Sequence, residues 1–214
     1  MLMMLPAFNQ MVKGNKVDQM ATTLVLGIEQ ARSQAAATRK HVALILPSNR
    51  ATWNDATKKF CYGGYRLAFV EEDGTNWKFV RWLPQSEWKN VPDGALLVYV
   101  KTSAVELDTG GGVKNVLGKI SGSGSEYSDL ESLVVDSSVA DMPTGTVDKC
   151  ALVFTPYGVP NKGELHFVVA EALMSPSDDK IIYPVRESGA ALNEKPINHL
   201  SFMINQFTGK VEFD

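Results

Sequence analysis

The chain has 214 residues, of which 44% are hydrophobic and 21% charged, so it belongs among globular proteins that can bury a core. Its 21 Lys and Arg against 24 Asp and Glu give a formal net charge of −3, and it lacks the basic field of nucleic-acid-binding proteins. This excludes nucleic acid as an obligate partner. The charge is uneven, because residues 1–60 hold eight basic and three acidic side chains. No apolar run reaches the about 18 to 20 residues that cross a bilayer.

The first forty residues predict one long amphipathic helix. No proline interrupts residues 9–40, and apolar side chains recur at gaps of three, four or seven, as on one helix face. They are Val17, Met20, Leu24, Ile28, Ala31, Ala35 and Val42. At about 1.5 Å per residue, such a helix is roughly 50 Å long. Its alanine-rich second half is thin, which lets a sheet approach its backbone.

After Pro47 the pattern changes to short β-rich runs separated by turn residues. Eight strands are predicted: 41–46, 65–71, 77–83, 96–101, 151–155, 164–172, 200–205 and 210–213. Residues 102–148 are rich in Gly, Ser and Asp and indicate a surface excursion, pinned to the body by the apolar segment 130–135. We therefore expect an α+β fold in which an N-terminal helix, residues 1–40, packs on an antiparallel β-sheet head, residues 41–214.

The two cysteines, Cys61 and Cys150, lack the spacing of a redox motif or a zinc site. Each begins a predicted strand. A disulfide between them is one interpretation if the protein meets oxidising conditions, and two half-buried free thiols are the other.

The sequence contains no recognisable catalytic constellation. The histidines, His41, His166 and His199, lie far apart and are interpreted as surface or structural residues. No nucleophile elbow, zinc-binding helix or phosphate loop is present, and the triple glycine 110–112 is interpreted as a flexible loop. We therefore predict no enzymatic activity, no catalytic residues, no cofactor and no metal.

Two segments permit a binding function. The acidic turn 175–180 has adjacent carboxylates, Asp178 and Asp179, but lacks the alternating oxygen donors of a calcium loop. Four tryptophans and two tyrosines at residues 53–88 form an aromatic-rich middle. They are interpreted mainly as core packing, with a stacking surface for sugars or single strands as the alternative.

Four segments, in the same order along the chain, resemble those of one family. The alanine-rich segment 31–44, ARSQAAATRKHVAL, is similar to the helix end of the minor pseudopilins of type II secretion and type IV pilus assembly, the GspH/FimT-like family. Segment 64–70, GYRLAFV, segment 152–158, LVFTPYG, and segment 202–211, FMINQFTGKV, resemble three of its later strands. The excursion is unmatched.

The opening LPAFN, residues 5–9, resembles the middle of a pilin's N-terminal helix. In that family about twenty apolar residues, a cleavage glycine and a glutamate precede the proline, and none is present here. The resemblance therefore implies an N-terminally truncated chain whose precursor carries a membrane-length apolar run upstream of Met1.

The resemblance implies a structural subunit of a type IV pilus or a type II secretion pseudopilus in the cell envelope. Its head would lie in the periplasm or, in a pilus, outside the cell. Expected partners are other pilin or pseudopilin subunits, the inner-membrane assembly machinery and, through the upstream helix, the membrane. Candidate subunit contacts are the excursion and one helix face placed beyond the head: Phe8, Val12, Gln19 and Thr23. The alternative is a secreted or surface module that binds a carbohydrate or a host protein.

Overall fold

The computed structural model describes residues 4–48, 53–55, 57–90, 93–102, 127, 129–139, 141–174, 181–182, 185–188, 191–196 and 198–213. Helix α1 runs over Met4–Thr38, a rod of 35 residues, and ends where Arg39 takes a left-handed backbone with φ of 55°. From Val17 onward one face of α1 is buried, and its members follow the predicted stripe: Val17, Met20, Ala21, Leu24, Ile28, Ala31 and Ala35.

Five strands close into a barrel in the order β1-β2-β3-β5-β6. They are β1 (Val42–Ile45), β2 (Arg66–Asp73), β3 (Asn76–Trp82), β5 (Glu131–Val135) and β6 (Gly145–Phe154). All neighbours are antiparallel except β3 and β5, which run parallel with Trp77 opposite Leu133. The barrel closes where β1 pairs with both β2 and β6.

A second, four-stranded antiparallel sheet has the order β13-β12-β7-β4. It comprises β4 (Ala95–Lys101), β7 (Leu165–Glu171), β12 (His199–Ile204) and β13 (Val211–Phe213). Two short pairs complete the described strands: β8 (Leu173–Met174) with β9 (Ile181–Ile182), and β10 (Val185–Ser188) with β11 (Ala191–Pro196). A 3-10 helix, Lys58–Phe60, precedes β2.

Helix α1 contacts both β-structures: β1 and β6 of the barrel, and β4, β7, β12 and β13 of the second sheet. One hydrophobic cluster extends from its buried face through the barrel and the second sheet. Helix α1 approaches the chain just before β2 closely at Gly27, where a Cβ atom would lie 2.5 Å from Cζ of Tyr65. The Tyr65 hydroxyl donates a hydrogen bond to the carbonyl of Thr23 at 3.0 Å, which ties the residue before β2 to the helix.

The predicted fold, a long helix packed on an antiparallel sheet head, is wrong. The chain has one described α-helix and is otherwise mostly strands, and the largest β-unit is a closed five-stranded barrel with a parallel pair. The physical reason lies in β5. This strand returns from the excursion and pairs with β3 on one edge and β6 on the other, which turns an open sheet into a barrel without edges.

The predicted strands are all present within a few residues, but others were missed. The excursion predicted at 102–148 ends inside the barrel, because β5 and the first residues of β6 belong to it. The triple glycine 110–112 and the Ser/Gly run 121–125 lie outside the described residues. Tyr127 anchors the returning chain, since its ring is buried and its hydroxyl donates to the Leu97 carbonyl at 2.6 Å.

Candidate functional site

The three histidines lie in separate surroundings. His41 follows α1, 4.0 Å from Glu72 and with its ring centroid 4.8 Å from that of Trp77. His166 on β7 is buried and 3.0 Å from the Glu164 carboxylate. His199 begins β12. Within the described ranges, no three His, Cys, Asp or Glu side chains come close enough to hold a metal ion. The acidic turn 175–180 lies outside these ranges.

Cys61 and Cys150 are both buried, and the disulfide considered from the sequence is not formed. Cys150 lies on the barrel strand β6, and its thiol contacts the Val147 carbonyl at 3.5 Å. Burial, with a smaller contribution from the charge of Asp148, raises the pKa of Cys150 to about 12. A thiol that stays protonated is a poor nucleophile and a poor metal ligand. The structure assigns Cys150 to the core.

Three tryptophans of the aromatic-rich middle, Trp53, Trp82 and Trp88, pack on one another. The Trp88 ring stacks on Phe60 at 5.2 Å and meets the edges of Trp53 and Trp82 at 5.8 and 5.6 Å. The Arg66 guanidinium covers Trp82 at 4.0 Å. Trp53 and Phe60 are buried, and Trp82 and Trp88 are half-buried. Faces already occupied by other rings are not a platform for sugars or bases, so this cluster supports packing over the stacking surface.

The predicted contact face on α1 is placed only in part. Phe8 and Val12 lie in the helix, in a stretch where the backbone alone is described. Gln19 is exposed, and the half-buried Thr23 donates its hydroxyl to the Gln19 carbonyl at 2.7 Å. Gln19 and Thr23 lie level with the body rather than beyond it, because Val17 and Met20 beside them are already buried in the core. Both residues therefore lie on the side of the body and not on a protruding stem.

Two turns meet beside the C-terminal half of α1, and sequence reasoning missed them as a site. They are residues 155–160, which follow β6, and residues 205–210, which join β12 to β13; we call them the aromatic turns. Gly158 and Gly209 both have positive φ, of 77° and 65°. A Cβ atom at Gly209 would overlap the Gly158 carbonyl oxygen and lie 3.0 Å from Cδ of Arg32. Only glycine allows this close approach.

Side-chain hydrogen bonds fix both aromatic turns. The Asn205 carboxamide oxygen accepts from the backbone N–H groups of Phe207 and Thr208, at 3.0 and 3.2 Å. Arg32 on α1 donates to the Thr208 carbonyl at 3.3 Å while it forms an ion pair of 2.8 Å with Glu29. In the other turn, Gly158 N–H donates to the Thr155 carbonyl at 2.8 Å. Both turns are therefore ordered by local bonds and by the helix.

Each aromatic turn presents one large ring to solvent. Tyr157 is 81% exposed and Phe207 is 79% exposed. Two exposed aromatic rings on neighbouring ordered turns form an apolar patch, and such patches are candidate contact surfaces. A usable sequence signal was the placement of each aromatic between a turn-forming polar residue and a glycine, in TPYG and NQFTG.

A groove of about 270 Å³ lies near the start of β4. Its apolar part is formed by the start of β4, by β8 and by the residue before β8: Ala95, Leu96, Leu173, Met174 and Ala172. Its polar rim holds Lys58, Lys59, Asn90 and Asp93, with Cys61 and Gly63 between them. Leu173 is 63% exposed. The groove has room for one aromatic side chain and lacks a convergent set of catalytic groups.

The groove and the aromatic turns lie at opposite ends of the body. Ala95 at the groove pairs with Glu171 at the end of β7, whereas Leu165 at the start of β7 pairs with Ile204, which precedes an aromatic turn. The helix gives the same result. A Cβ atom at Gly94 beside the groove would lie 3.4 Å from Nζ of Lys16, and the aromatic turns contact Arg32. From Lys16 to Arg32, α1 advances by sixteen residues, so the two surfaces are about 24 Å apart along the helix.

Comparison of the chain with protein-family models, with curated proteins and with solved structures found no significant match. Although α1 has 35 residues, the described part of the chain contains no helix with the apolar stretch that membrane crossing requires.

Proposed function

We propose that this chain is a non-enzymatic structural subunit of an envelope filament, a minor pilin or pseudopilin of a type IV pilus or of a type II secretion pseudopilus. The observation that carries the proposal is α1. Its buried face, from Val17 to Ala35, fixes it to both β-structures, and the same helix continues for twelve residues before Lys16. A helix joined rigidly to a body and extended at one end can place that body in an assembly.

The positions of the resembling segments support the same function. The helix end, the turn after β6 and the turn between β12 and β13 come from three of the four segments. They meet where Arg32 bonds the Thr208 carbonyl and Gly209 touches Gly158. Segments that are distant in sequence thus form one joint between α1 and the body. The function is proposed for the barrel-containing fold described above and does not depend on the fold predicted from the sequence.

The described chemistry supports a structural role over an enzymatic one. The groove lacks a nucleophile next to a base, and its thiol, Cys61, has no histidine among the groove residues. The buried side chains described on the barrel strands are apolar except for Glu131 on β5, which accepts a hydrogen bond from Asn161 at 2.7 Å. In this proposal the protein acts through its surfaces, with other filament subunits and the inner-membrane assembly machinery as partners.

The proposal is tested in the cell that encodes the chain, by deleting the gene and restoring it as wild type, as Phe8→Ser or as Val80→Ser. Val80 is a matched control, because it is an exposed apolar residue on the barrel, away from α1. We expect the deletion to reduce surface filaments or secretion. Wild type and Val80→Ser should restore them, and Phe8→Ser should not.

Filaments are counted by electron microscopy, and secreted protein is measured in the medium. The melting temperature of each purified variant is measured in parallel. Phe8→Ser should melt within about 2 °C of wild type, because the sequence predicts Phe8 to lie beyond the head, where a polar substitution changes stability little. If the deletion leaves both filaments and secretion unchanged, the proposed function is wrong.

A further inference from the structure

We propose that the aromatic turns of one copy dock into the groove of a second copy, in a head-to-tail contact between subunits. The inference rests on the proposed function and deepens it by naming the surfaces through which the bodies meet. The occupant of the groove is a second copy of this chain, with one of its two exposed rings, Tyr157 or Phe207, inside the groove and the other against the groove edge. The rings project from one end of the body, and the groove opens at the other end, about 24 Å away along α1.

The groove and the exposed rings match in shape and polarity. A groove of about 270 Å³ lined by Leu96, Leu173 and Met174 accepts one aromatic ring. Methionine and leucine side chains adapt to a flat ring, and sulfur next to an aromatic ring is favourable. The rings are presented on turns fixed by Asn205 and by α1, so little conformational entropy is lost when they dock.

The charges around the groove complement those of the aromatic turns. Lys58 and Lys59 stand at the groove rim, and Lys59 Nζ already lies 5.1 Å from the centre of the Phe60 ring. An ammonium group at this position attracts the negative face of an incoming ring. The exposed Lys210 is the last residue of one aromatic turn, and the exposed Asp93 lies among the groove residues, so each surface carries a charge opposite in sign to one on the other.

The contact between the aromatic turns and the groove is small. Two exposed aromatic side chains supply roughly 300 to 400 Å² on one partner, and the complete interface is roughly 600 to 800 Å². Stable protein–protein interfaces bury about 1,200 to 2,000 Å² in total. This contact is therefore weak between free subunits, and it becomes effective when a second contact, such as helix packing in a filament, holds the subunits together.

The positions of the two surfaces determine the symmetry of the contact. Because the two surfaces differ and lie at opposite ends, the contact is heterologous, and repeating it adds copies in one direction. An isologous contact, in which aromatic turns meet aromatic turns, would stop at a dimer. The two arrangements predict different results when defective variants are mixed, and that difference provides the test.

The test uses the purified chain at concentrations up to about 1 mM in sedimentation equilibrium, the range in which an interface of this size associates. Wild type should form dimers and larger species. The turn variant, Tyr157→Ser with Phe207→Ser, and the groove variant, Leu173→Glu, should each stay monomeric. Val80→Ser is the control and should associate like wild type, since Val80 is exposed on the barrel. Circular dichroism checks that every variant is folded.

Mixing the turn variant with the groove variant distinguishes a heterologous contact from an isologous one. The turn variant keeps an intact groove, and the groove variant keeps intact turns, so an equimolar mixture should form dimers and nothing larger. The proposal is overturned if wild type stays monomeric at about 1 mM, if either variant associates like wild type, or if the mixture stays monomeric. Failure here leaves the gene-deletion experiment unaffected, since a filament subunit can assemble through α1 alone, and the two failures are distinguishable.

Discussion

The contact between α1 and the barrel gives a sharp test of the packing, through Gly27→Ala. A Cβ atom at Gly27 would lie 2.5 Å from Cζ, 2.6 Å from Cε2 and 2.9 Å from the hydroxyl oxygen of Tyr65. The ring cannot withdraw freely, because its hydroxyl donates to the Thr23 carbonyl. Overpacking of this kind costs about 1 to 3 kcal/mol, and replacing a helical glycine by alanine recovers about 1 kcal/mol.

The expected net effect of Gly27→Ala is a loss of about 1 kcal/mol, which for a chain of this size lowers the melting temperature by roughly 2 to 4 °C. The control is the same change in a Tyr65→Leu background. Leucine lacks the three ring atoms that the new methyl group meets, so Gly27→Ala should there stabilise by up to about 1 kcal/mol. Urea unfolding followed by circular dichroism measures both values. If Gly27→Ala stabilises both backgrounds equally, the ring does not lie against the helix.

Two further predictions concern the core. Ala35→Leu should lower the melting temperature by several degrees, because Ala35 is fully buried and overpacking costs about 1 to 3 kcal/mol, whereas the exposed Ala37→Leu should change it little. Equal melting temperatures for Ala35→Leu and Ala37→Leu in a thermal unfolding scan would contradict the burial of Ala35. Burial raises the pKa of Cys150 to about 12, so the folded state keeps a proton that the unfolded state loses above about pH 8.5. Stability should therefore fall as pH rises, by about 1.4 kcal/mol per pH unit in excess of the fall in Cys150→Ala. Equal slopes in urea unfolding at pH 8 to 10 would refute this.

The local elements of this fold were predictable from the sequence, and their pairing was not. The spacing of Val17, Leu24, Ile28 and Ala35 reports the buried face of α1 directly, because a helix repeats every 3.6 residues whatever it packs against. The parallel pairing of β3 with β5 is a contact between residues more than fifty positions apart. Nothing in the apolar segment 130–135 distinguishes a pinned loop from the strand that closes a barrel.

The candidate surfaces were harder to predict than the fold. Exposure of Phe207 is decided by its neighbours in space, since phenylalanine is otherwise a common core residue, as Phe167 and Phe202 are in the adjacent sheet. The same holds for Gly158 and Gly209, which look like ordinary turn glycines until the two turns are seen in contact. The sequence indicated turns, but the contact between them depends on how β6 and β12 meet α1.

Helix α1 sets the distance between the two proposed contact surfaces. Gly94 lies beside Lys16 at the groove end, and Gly209 lies beside Arg32 at the other, so one rigid element touches both. A change of length in the excursion leaves this spacing intact. Inserting one residue into α1 between the two positions would shift one end by about 1.5 Å and rotate it by about 100°. A head-to-tail contact requires a constant offset between its two surfaces, and a helix with a fully buried face maintains that offset more reliably than loops between strands.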